Sequence, residues 1–443
     1  MKKTTLVLLL LAIAAGGYVY YTEFRDHKEK PAEGAPKPLY TFTSDDITSI
    51  RITKAGEGAP IALERTASGW NLTSPVATHA DGRNADMVAD SLARAASTRT
   101  LPADAAHLKE FGLEPPAITV EIGVKKGAAQ KLELGAKDFS DMNVYVREAG
   151  AKDVLLVPAS ILSDVSRPLS ELRDRSTLQL GAWQLTELDF HTPKAKFRVE
   201  KKADYWDITE PRNAPADGDD IDGLRTSIST EKFSDVVEED AKDAAAPKFG
   251  FANPELTVHV RNEQGNEGTL IVGKKDGDKY FARDASRSMI FHVNESLVKK
   301  FADTTFATLR SKRALRAKAE DFTHLSVHNE KGTIAASASG EKWLVEEPAD
   351  RKGKNLNASK VFDPLLNLRA KEVLDPPSAA IAAKLAKPTI EIKLTGKDGA
   401  VITVSLVQDG SDVYLRTSQS PAVLKFESYL FSQLNFTAEE AAP

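Results

Sequence analysis

Hydrophobic and polar positions follow the same order three times along this chain. Each repeat opens with strand-like spacing, in which apolar residues stand two positions apart between polar neighbours; the pairs are Ile50 and Ile52, Leu188 and Phe190, and Leu325 and Val327. A second short strand and a turn lead to a tryptophan that a proline follows five positions later. These motifs are Trp70-Asn-Leu-Thr-Ser-Pro75, Trp206-Asp-Ile-Thr-Glu-Pro211 and Trp343-Leu-Val-Glu-Glu-Pro348, with the tryptophans 136 and 137 positions apart. The spacing predicts a triplicated chain whose repeats begin with a small antiparallel meander.

An amphipathic helix is predicted next in each repeat. Apolar residues stand 18 and 22 positions after each tryptophan, and this spacing of four places them on one helical face; they are Val88 and Leu92, Leu224 and Ile228, and Val361 and Leu365. The third repeat differs because Pro364 lies inside this segment. Its helix is therefore predicted to be kinked or to start late.

The second half of each repeat begins at a Phe-Gly landmark and continues as strands. The landmark reads Phe111-Gly-Leu-Glu-Pro-Pro116 and Phe249-Gly-Phe-Ala-Asn-Pro254, and it is reduced to Leu385-Ala-Lys-Pro388 in the third repeat. In the first repeat, glycine-containing gaps separate strand-like segments at 118–124, 131–134, 143–147 and 153–157, which predicts a four-stranded meander. Each repeat is predicted to end in a helix, at 159–173, 295–310 and a shortened 427–435.

Together these patterns predict an α+β fold of three tandem repeats, each with antiparallel β-meanders, an amphipathic helix and a terminal helix, after a single N-terminal transmembrane helix. The predicted boundaries are an anchor at 1–22, a flexible tether at 23–42, module 1 at 43–176, module 2 at 177–314, a C-terminally shortened module 3 at 315–437, and a tail at 438–443. Only about ten residues separate one module from the first strand of the next. We therefore expect a semi-rigid row of modules.

The N-terminus carries the membrane signal. Lys2 and Lys3 precede an uncharged run at 4–21, which as a helix would be about 27 Å long, close to the hydrocarbon thickness of a bilayer. The lysines favour the cytoplasmic side, so everything after Thr22 is expected outside the cytoplasm. A cleaved signal peptide is the alternative, because Ala12-Ile-Ala14 is an acceptable cleavage signal.

Composition excludes several classes of function. The 443 residues include 59 basic and 64 acidic side chains, a formal net charge of −5 that argues against nucleic acid as a partner. The absence of cysteine excludes disulfides, thiolate nucleophiles and zinc–thiolate sites. The chain contains no nucleophile elbow, Walker loop or His-Glu-x-x-His motif. We expect no catalytic residue, metal or cofactor.

Two sets of repeated residues are the candidate sites. Trp70, Pro75, Trp206, Pro211, Trp343 and Pro348 are interpreted as structural anchors, since a tryptophan at one strand position in every repeat buries a large apolar area. A sugar-stacking platform is the alternative. An aromatic-x-Arg motif places Arg147, Arg283 and Arg416 on one strand of each repeat, as a candidate ligand or partner surface. Cross-strand ion pairs are the simpler interpretation of these arginines.

Two further motifs suggest metals only superficially. The acidic segment from Asp217 to Gly223 resembles a calcium loop, but Ile221 stands where an oxygen ligand is needed. Module 1 has Asp81 at the matching place, directly before its helix, so helix capping explains both segments. His324 and His328 fall on the polar side of a predicted strand, and we do not expect them to form a zinc site.

The motifs resemble those of a known bacterial family. The tryptophan motif, the Phe-Gly-Leu-x-Pro-Pro segment at Phe111, the Leu-Val-Pro-Ala-Ser run at Leu156 and the Leu-Arg-Asp-Arg segment at Leu172 are similar to domain of unknown function 4340. The resemblance is clearest in module 1 and weakest in module 3. It implies a membrane-anchored extracytoplasmic protein, often encoded beside ABC-transporter components of the gliding-motility-associated type, and it implies no established activity.

Two functional hypotheses follow. The first is a non-enzymatic interaction or scaffold protein, single-pass in the bacterial inner membrane with its bulk in the periplasm or otherwise outside the cytoplasm. Its expected partner is a membrane protein, such as an ABC-transporter permease or an associated subunit. The second is an envelope hydrolase that acts on glycan through unidentified carboxylates. An active site would reveal itself as one repeat that carries polar residues the others lack.

Overall fold

A computed structural model describes residues 36–180, 184–242 and 246–443. They form two compact units, one that ends at Arg175 and one over Ser176–Pro443. The predicted anchor at 1–22 and most of the predicted tether lie outside the described residues. No helix in the described ranges combines the length and the apolar character that crossing a bilayer requires.

Module 1, in the first unit, contains a nine-stranded antiparallel sheet in the order β5-β4-β3-β2-β8-β9-β10-β11-β7, and β1 pairs separately with β6. Its strands are β1 Lys37–Pro38, β2 Ile47–Lys54, β3 Ile61–Thr66, β4 Gly69–Ser74, β5 Thr78–His79, β6 Ala96–Ser97, β7 Arg99–Pro102, β8 Ile118–Val124, β9 Gln130–Lys137, β10 Asn143–Glu148 and β11 Asp153–Pro158.

Modules 2 and 3 share the second unit, and each contains a nine-stranded sheet of the same strand order. In module 2 the strands are β12 Leu185–Thr192, β13 Ala195–Lys202, β14 Tyr205–Glu210, β15 Ala214–Pro215, β16 Val236–Glu238, β17 Leu256–Asn262, β18 Glu267–Asp276, β19 Lys279–Asp284 and β20 Ile290–Asn294. In module 3 they are β21 Phe322–Asn329, β22 Gly332–Ser339, β23 Lys342–Glu347, β24 Asn355–Leu356, β25 Glu372–Leu374, β26 Ile390–Gly396, β27 Val401–Asp409, β28 Asp412–Thr417 and β29 Val423–Glu427. The described chain is thus three similar, mostly antiparallel sheets with helices.

The two predicted meanders of each repeat are halves of one sheet. In module 1, β2 pairs antiparallel with β8 over its whole length, from Ile47 opposite Val124 to Lys54 opposite Ile118. The same pairing joins β12 to β17 and β21 to β26. Because side chains alternate along each strand, the pairing brings the apolar positions of both meanders to one face.

The amphipathic and terminal helices cover that face, whereas the short helices at 105–110 and 379–385 lie outside the main cores. The helices are α1 Gly82–Ala93, α2 Ala105–Glu110, α3 Ser160–Val165 and α4 Leu169–Leu172 in module 1; α5 Gly218–Thr230, α6 Glu295–Ala302 and α7 Phe306–Leu309 in module 2; and α8 Ser359–Asn367, α9 Ala379–Leu385, α10 Tyr429–Leu434 and α11 Ala438–Ala441 in module 3. The predicted apolar pairs on α1, α5 and α8 are at most 2% exposed, and each pair belongs to the core of its own module.

The terminal helices differ from the prediction because each is split in two. In module 1 the break falls before Pro168, which has no N–H to continue α3. The second segment returns to the start of the amphipathic helix, where the Asp81 N–H donates to the Leu172 carbonyl at 2.8 Å. The Asp217 N–H makes the same bond to Leu309 at 2.7 Å.

Module 3 extends further than expected, and the predicted tail at 438–443 is wrong. Residues Ala438–Ala441 form α11, and the Asn357 N–H donates to the Ala441 carbonyl at 2.8 Å, the counterpart of the closing bonds in the other modules. Ala441 and Ala442 are fully buried. The sequence pattern did not indicate this segment, because module 3 has Ala441 at the position where modules 1 and 2 have Leu172 and Leu309.

The predicted tether also ends earlier than expected. Lys37–Pro38 pairs with Ala96–Ser97, and the Leu39 N–H donates to the Ala95 carbonyl at 2.8 Å. Tyr40 is buried in the module 1 core and stacks on Phe42. Residues 37–42 therefore belong to module 1, because two aromatic side chains give this short segment enough apolar surface to bury.

The amphipathic helix of module 3 starts late, as Pro364 indicated. Helix α8 begins 16 positions after Trp343, whereas α1 and α5 begin 12 positions after their tryptophans. It is also shorter, at 9 residues against 12 and 13. With less helix above it, Trp343 is only half-buried.

We predict unequal effects for truncation of the three tryptophans. Trp70→Ala and Trp206→Ala should each lower the free energy of unfolding of their own module by about 3–5 kcal/mol, because each leaves a cavity in a packed core. Trp343→Ala should have a smaller effect, since its side chain is already partly exposed. Urea denaturation monitored by hydrogen exchange measures these effects, because hydrogen exchange reports the unfolding of each module separately.

Met87→Ala is the matched control for this experiment, because Met87 is 43% exposed and should change the free energy of unfolding by no more than about 0.5 kcal/mol. Equal losses for all three tryptophans would contradict the burial difference.

Candidate functional site

The tryptophans of the predicted anchors each stand at the second position of equivalent strands, β4, β14 and β23. Trp70 and Trp206 are 3% and 5% exposed. The Trp70 indole N–H donates to Asp86 at 2.8 Å, and the Trp343 ring packs 5.4 Å from Phe362. Pro75, Pro211 and Pro348 each follow a cis peptide bond, directly after the tryptophan strand. Buried indoles at Trp70 and Trp206 leave no ring face for a sugar.

The three arginines of the aromatic-x-Arg motif have different partners. Arg147 donates through Nε to Glu133 at 2.9 Å, a cross-strand ion pair. Arg283 makes no ion pair with any described residue; it lies 5.9 Å over the Phe251 ring, and its buried Nε has no hydrogen-bond partner there. Arg416 donates to the Leu385 carbonyl at 3.5 Å. The ion-pair interpretation therefore holds in module 1.

The neighbouring strand explains the difference. Arg147 stands opposite Glu133, whereas Arg283 stands opposite Ile271 and Arg416 opposite Ser405. Only a carboxylate opposite the arginine can form the cross-strand pair. The motif therefore does not create one repeated charged surface.

The aromatic residue of the same motif packs on the Phe-Gly landmark, on the sheet face away from the main core. Phe111 stacks on Tyr145 at 4.1 Å, and Phe249 meets Phe281 edge-on at 5.3 Å. In module 3, Leu385 and Tyr414 share a small apolar cluster with Val407.

A glycine in the adjacent strand makes this contact close. A Cβ on Gly135 would lie 2.2 Å from the Phe111 carbonyl oxygen, and a Cβ on Gly273 would lie 2.0 Å from that of Phe249. Both strands carry a β-bulge nearby. Module 3 has Val407 and regular pairing there, which explains why its landmark has lost both the phenylalanine and the glycine.

The acidic segment at Asp217 caps a helix, as expected. Asp217 accepts from the Asp219 N–H at 3.2 Å, and Asp81 accepts from the Asn84 N–H at 3.0 Å at the matching place. Asp217 is 2% exposed and also pairs with Arg369. His324 and His328 lie exposed on the polar side of β21. No cluster of potential metal ligands occurs among the described residues.

A histidine between two carboxylates lies on the surface of module 2. His292 contacts Asp235 at 2.7 Å through Nδ1 and Asp276 at 3.1 Å through Nε2. Burial would raise the pKa of Asp235, but hydrogen bonds from Lys279, Ser234 and His292 outweigh it and lower that pKa. With both ring nitrogens engaged, His292 joins neighbouring segments and offers no free base.

A network of ion pairs lies within the second unit, around the linker at 310–316. Arg310 donates to Asp375 at 2.8 Å, and Arg212 donates to the same carboxylate at 2.6 Å. Arg316 donates to Asp207 at 2.7 Å. Sequence analysis missed this network, because Asp375 stands 65 positions after Arg310 and no motif surrounds it.

Arg313 and Arg369 extend the network on the side of helix α5. Both donate to Asp219, at 3.4 Å and 2.9 Å. The chain of pairs therefore joins the start of α5 in module 2 to the end of α8 in module 3. It holds these two modules together by charge as well as by backbone contact.

An apolar hairpin tip in module 1 was also missed. Phe139 is 99% exposed and Met142 is 75% exposed, in the turn between β9 and β10. The corresponding turns of the other modules are Gly277-Asp278 and Gly410-Ser411, which are polar. Comparison of the three hairpins in sequence would have found this difference.

A buried carboxylate holds that tip in one shape. Asp138 accepts from the Ser140 hydroxyl at 2.8 Å and from the side-chain amide of Asn143 at 3.1 Å. The hydrogen bond from Asn143 is the largest influence on the pKa of Asp138, which it lowers. Asp141 takes a φ of 59°, in the left-handed region that aspartate tolerates.

We predict that Asp375→Asn lowers the free energy of unfolding of the second unit by about 2 kcal/mol. The variant leaves the nearly buried guanidinium of Arg310 without its carboxylate. Burial would raise the pKa of Asp375, but Arg310 and then Arg212 outweigh it and lower that pKa from 3.8. A lowered folded-state pKa stabilises at neutral pH, and this stabilisation is lost as pH falls through the folded value.

The difference in free energy of unfolding between wild type and Asp375→Asn should therefore be constant from about pH 7 to pH 5 and shrink below about pH 4. Urea denaturation of the full-length chain at each pH measures it. Asp278→Asn, in an exposed turn, is the control and should have no effect at any pH. A difference that grew below pH 4 would contradict the assignment.

Comparisons with known proteins place the chain in a family. The model of the family described as Domain of unknown function (DUF4340) matches residues 70–205 and 206–388, and the two segments begin at Trp70 and Trp206. No curated protein matches the chain.

Two similar solved structures are the DNA polymerase III subunit beta from Pseudomonas aeruginosa, at 7% identity and a TM-score of 0.16, and a DnaN sliding clamp from the same organism bound to griselimycin, at 10% and 0.14. They cover 89% and 91% of this chain, and 94% and 97% of their own chains. Likenesses this weak carry no argument about fold or function. The family match, in contrast, spans more than half of the sequence, and the chain belongs to the DUF4340 family.

Proposed function

We propose that this protein is a non-enzymatic interaction protein of the bacterial envelope, anchored by its N-terminal segment in the inner membrane, that binds a neighbouring membrane protein through module 1. The observation that supports it is the apolar hairpin tip of Phe139 and Met142. Removal of an exposed phenylalanine from water is favourable. Because the turn is fixed, the side chain can leave water only when a partner covers it.

The shape of the tip favours binding. The turn is held by the hydrogen bonds of Asp138, and the Ala159 N–H donates to the Met142 carbonyl at 2.8 Å. A partner therefore orders little additional backbone on binding, which lowers the entropic cost. Burial of a phenylalanine side chain contributes about 1.5–3 kcal/mol, and methionine adapts to an irregular pocket.

Local charge favours a protein over the lipid surface as the partner. Lys137 lies 3.9 Å from Asp141, and Asp138 adds a second carboxylate, so the base of the tip carries no excess of positive charge. A loop that binds an anionic bilayer carries an excess of lysine and arginine around its apolar residues. The tip lacks that excess, and an apolar pocket on a membrane protein suits it better.

The distance from the proposed anchor fits this role. Fifteen positions separate Thr22 from Lys37. A flexible segment of that length has a root-mean-square span of about 20 Å. Module 1 would thus be confined near the bilayer, at a high effective concentration towards integral neighbours. The suggestion that these neighbours are ABC-transporter permeases or associated subunits rests on the family resemblance.

We predict that a photocrosslinking amino acid at Phe139, in the full-length chain in cells, captures one membrane protein. The same probe at Asp278 and at Ser411, in the corresponding exposed turns of modules 2 and 3, should not capture it. Mass spectrometry of the adducts identifies the partner.

Phe139→Ser, in a chain that carries the crosslinker at Met142, should reduce the adduct at least about tenfold, because it removes most of the buried apolar area. Its thermal stability should be unchanged, since Phe139 touches no core. Capture of the same protein from all three turns, or adducts with glycan alone, would refute the proposal.

A further inference from the structure

A cavity of about 340 Å³ lies within the second unit, between the linker at 310–316 and the sheet of module 3. Its charged lining residues are the three arginines Arg310, Arg313 and Arg316, and no carboxylate lines it. Ser311, Thr417, Gln419 and Ser420 add hydroxyl and amide groups. Val373, Ala422 and Leu424 form the apolar part of the wall.

Comparison with module 2 shows why space is left here. The loop between β19 and β20 contains Arg287, which donates to the Thr177 carbonyl at 2.6 Å and to the Ser176 carbonyl at 3.2 Å. Arg287 therefore bridges the loop of module 2 to the linker that precedes that module. The equivalent position in module 3 is Ser420, whose side chain is too short to reach the linker at 310–316.

Two further substitutions enlarge the gap. The strand registers place Thr417 where module 2 has Asp284, and Ala422 where it has Met289. Asp284 lies 3.1 Å from the Nε of Arg287 and would be a negative wall. All three shortened residues, Thr417, Ser420 and Ala422, line the cavity. Module 3 has thus lost a carboxylate, a guanidinium and a thioether at one place.

The linker itself has gained positive charge. Relative to the linker after module 1, Arg313 stands in the place of Ser176, Arg316 in the place of Gln179, and Ser311 in the place of Asp174. This is the pattern that distinguishes a functional site in a repeat protein, since one copy carries polar groups that the others lack.

The carboxylates that pair with these arginines do not neutralise the cavity. Asp375 and Asp207 lie outside its lining, and each is shared with a second cation: Arg212 at 2.6 Å and Lys202 at 3.7 Å. Asp219 lies between Arg313 and Arg369, and Arg369 also pairs with Asp217. At Asp375 and Asp207, one carboxylate divided between two cations leaves an excess of positive charge beside Arg310 and Arg316, where low exposure to water strengthens it.

We propose that this cavity binds a small anionic ligand, a molecule of monosaccharide size that carries a carboxylate or a phosphate. Guanidinium groups bind both anions through paired hydrogen bonds, and the four neutral polar side chains suit the hydroxyl groups of a sugar. The volume is at the small end of ligand pockets and about eleven times the share of one water molecule in the liquid. The inference is independent of the hairpin tip and of the proposed partner.

Isothermal titration of the full-length chain, purified in detergent at low salt, tests the proposal with three probes. Glucose 6-phosphate and glucuronate represent the two anions, and glucose is the neutral control. At least one anion should bind, glucose should not, and the affinity should fall as salt is raised. Equal binding of glucose, or no binding of either anion, would overturn the proposal.

Variants locate the binding. The double variant Arg313→Ser and Arg316→Gln introduces the residues of the linker after module 1 and should weaken anion binding at least about tenfold, since each loses a charge-assisted hydrogen bond. Arg261→Gln is the control for loss of an arginine elsewhere; Arg261 pairs with Glu187 and Glu267 away from the cavity, and its variant should bind as the wild type does.

Ser420→Arg places in module 3 the residue that fills this space in module 2, and it should abolish binding because the new side chain occupies the cavity. Ser420→Ala keeps the cavity open and should retain binding. Undiminished binding by Ser420→Arg, or by the double variant, would assign the anion to another site and refute the proposal. A Ser420→Arg chain that failed to fold would leave the decision to the double variant and Arg261→Gln.

Discussion

The antiparallel pairing of Ile47–Lys54 with Ile118–Val124, together with its counterparts in the other modules, is the contact on which each module depends. It joins a four-stranded part and a five-stranded part of the sheet, each of which would otherwise leave an open edge. Once joined, they present one apolar face broad enough for the amphipathic helix and the terminal helix to cover. Lys54 and Ile118 stand 64 positions apart, so this pairing closes a long loop inside the module.

Sequence patterns predicted the local elements well because these depend on local periodicity. The apolar pairs such as Val88 and Leu92 lie in the cores, and the late start of the third amphipathic helix follows from Pro364. The pairing of distant strands left no local trace, because every strand in an antiparallel sheet has the same alternation. The tail at 438–443 was misjudged for a related reason: Ala441 carries too little hydrophobicity to indicate burial, although it is fully buried.

Sequence patterns predicted the candidate sites less well than the local elements. Repetition drew attention to Arg147, Arg283 and Arg416, yet the residues opposite them have diverged, and the three side chains have different roles. Phe139, Arg313 and Arg316 are informative because they are not repeated. In a triplicated chain, shared residues report the common core, whereas function is more readily found where one copy departs from the others. Such departures can be read from an alignment of the repeats, but their meaning depends on what each side chain meets.

The closing bond of each module has a practical consequence in the last residues of module 3. The Asn357 N–H holds the Ala441 carbonyl, Arg351 donates to the Ala442 carbonyl at 3.4 Å, and Pro443 is the first exposed residue after them. These residues are thus a built-in part of the third core. A chain cut before Ala441 would lose these contacts and expose α8. An affinity tag or a reporter belongs after Pro443, behind a flexible spacer that leaves these last contacts intact.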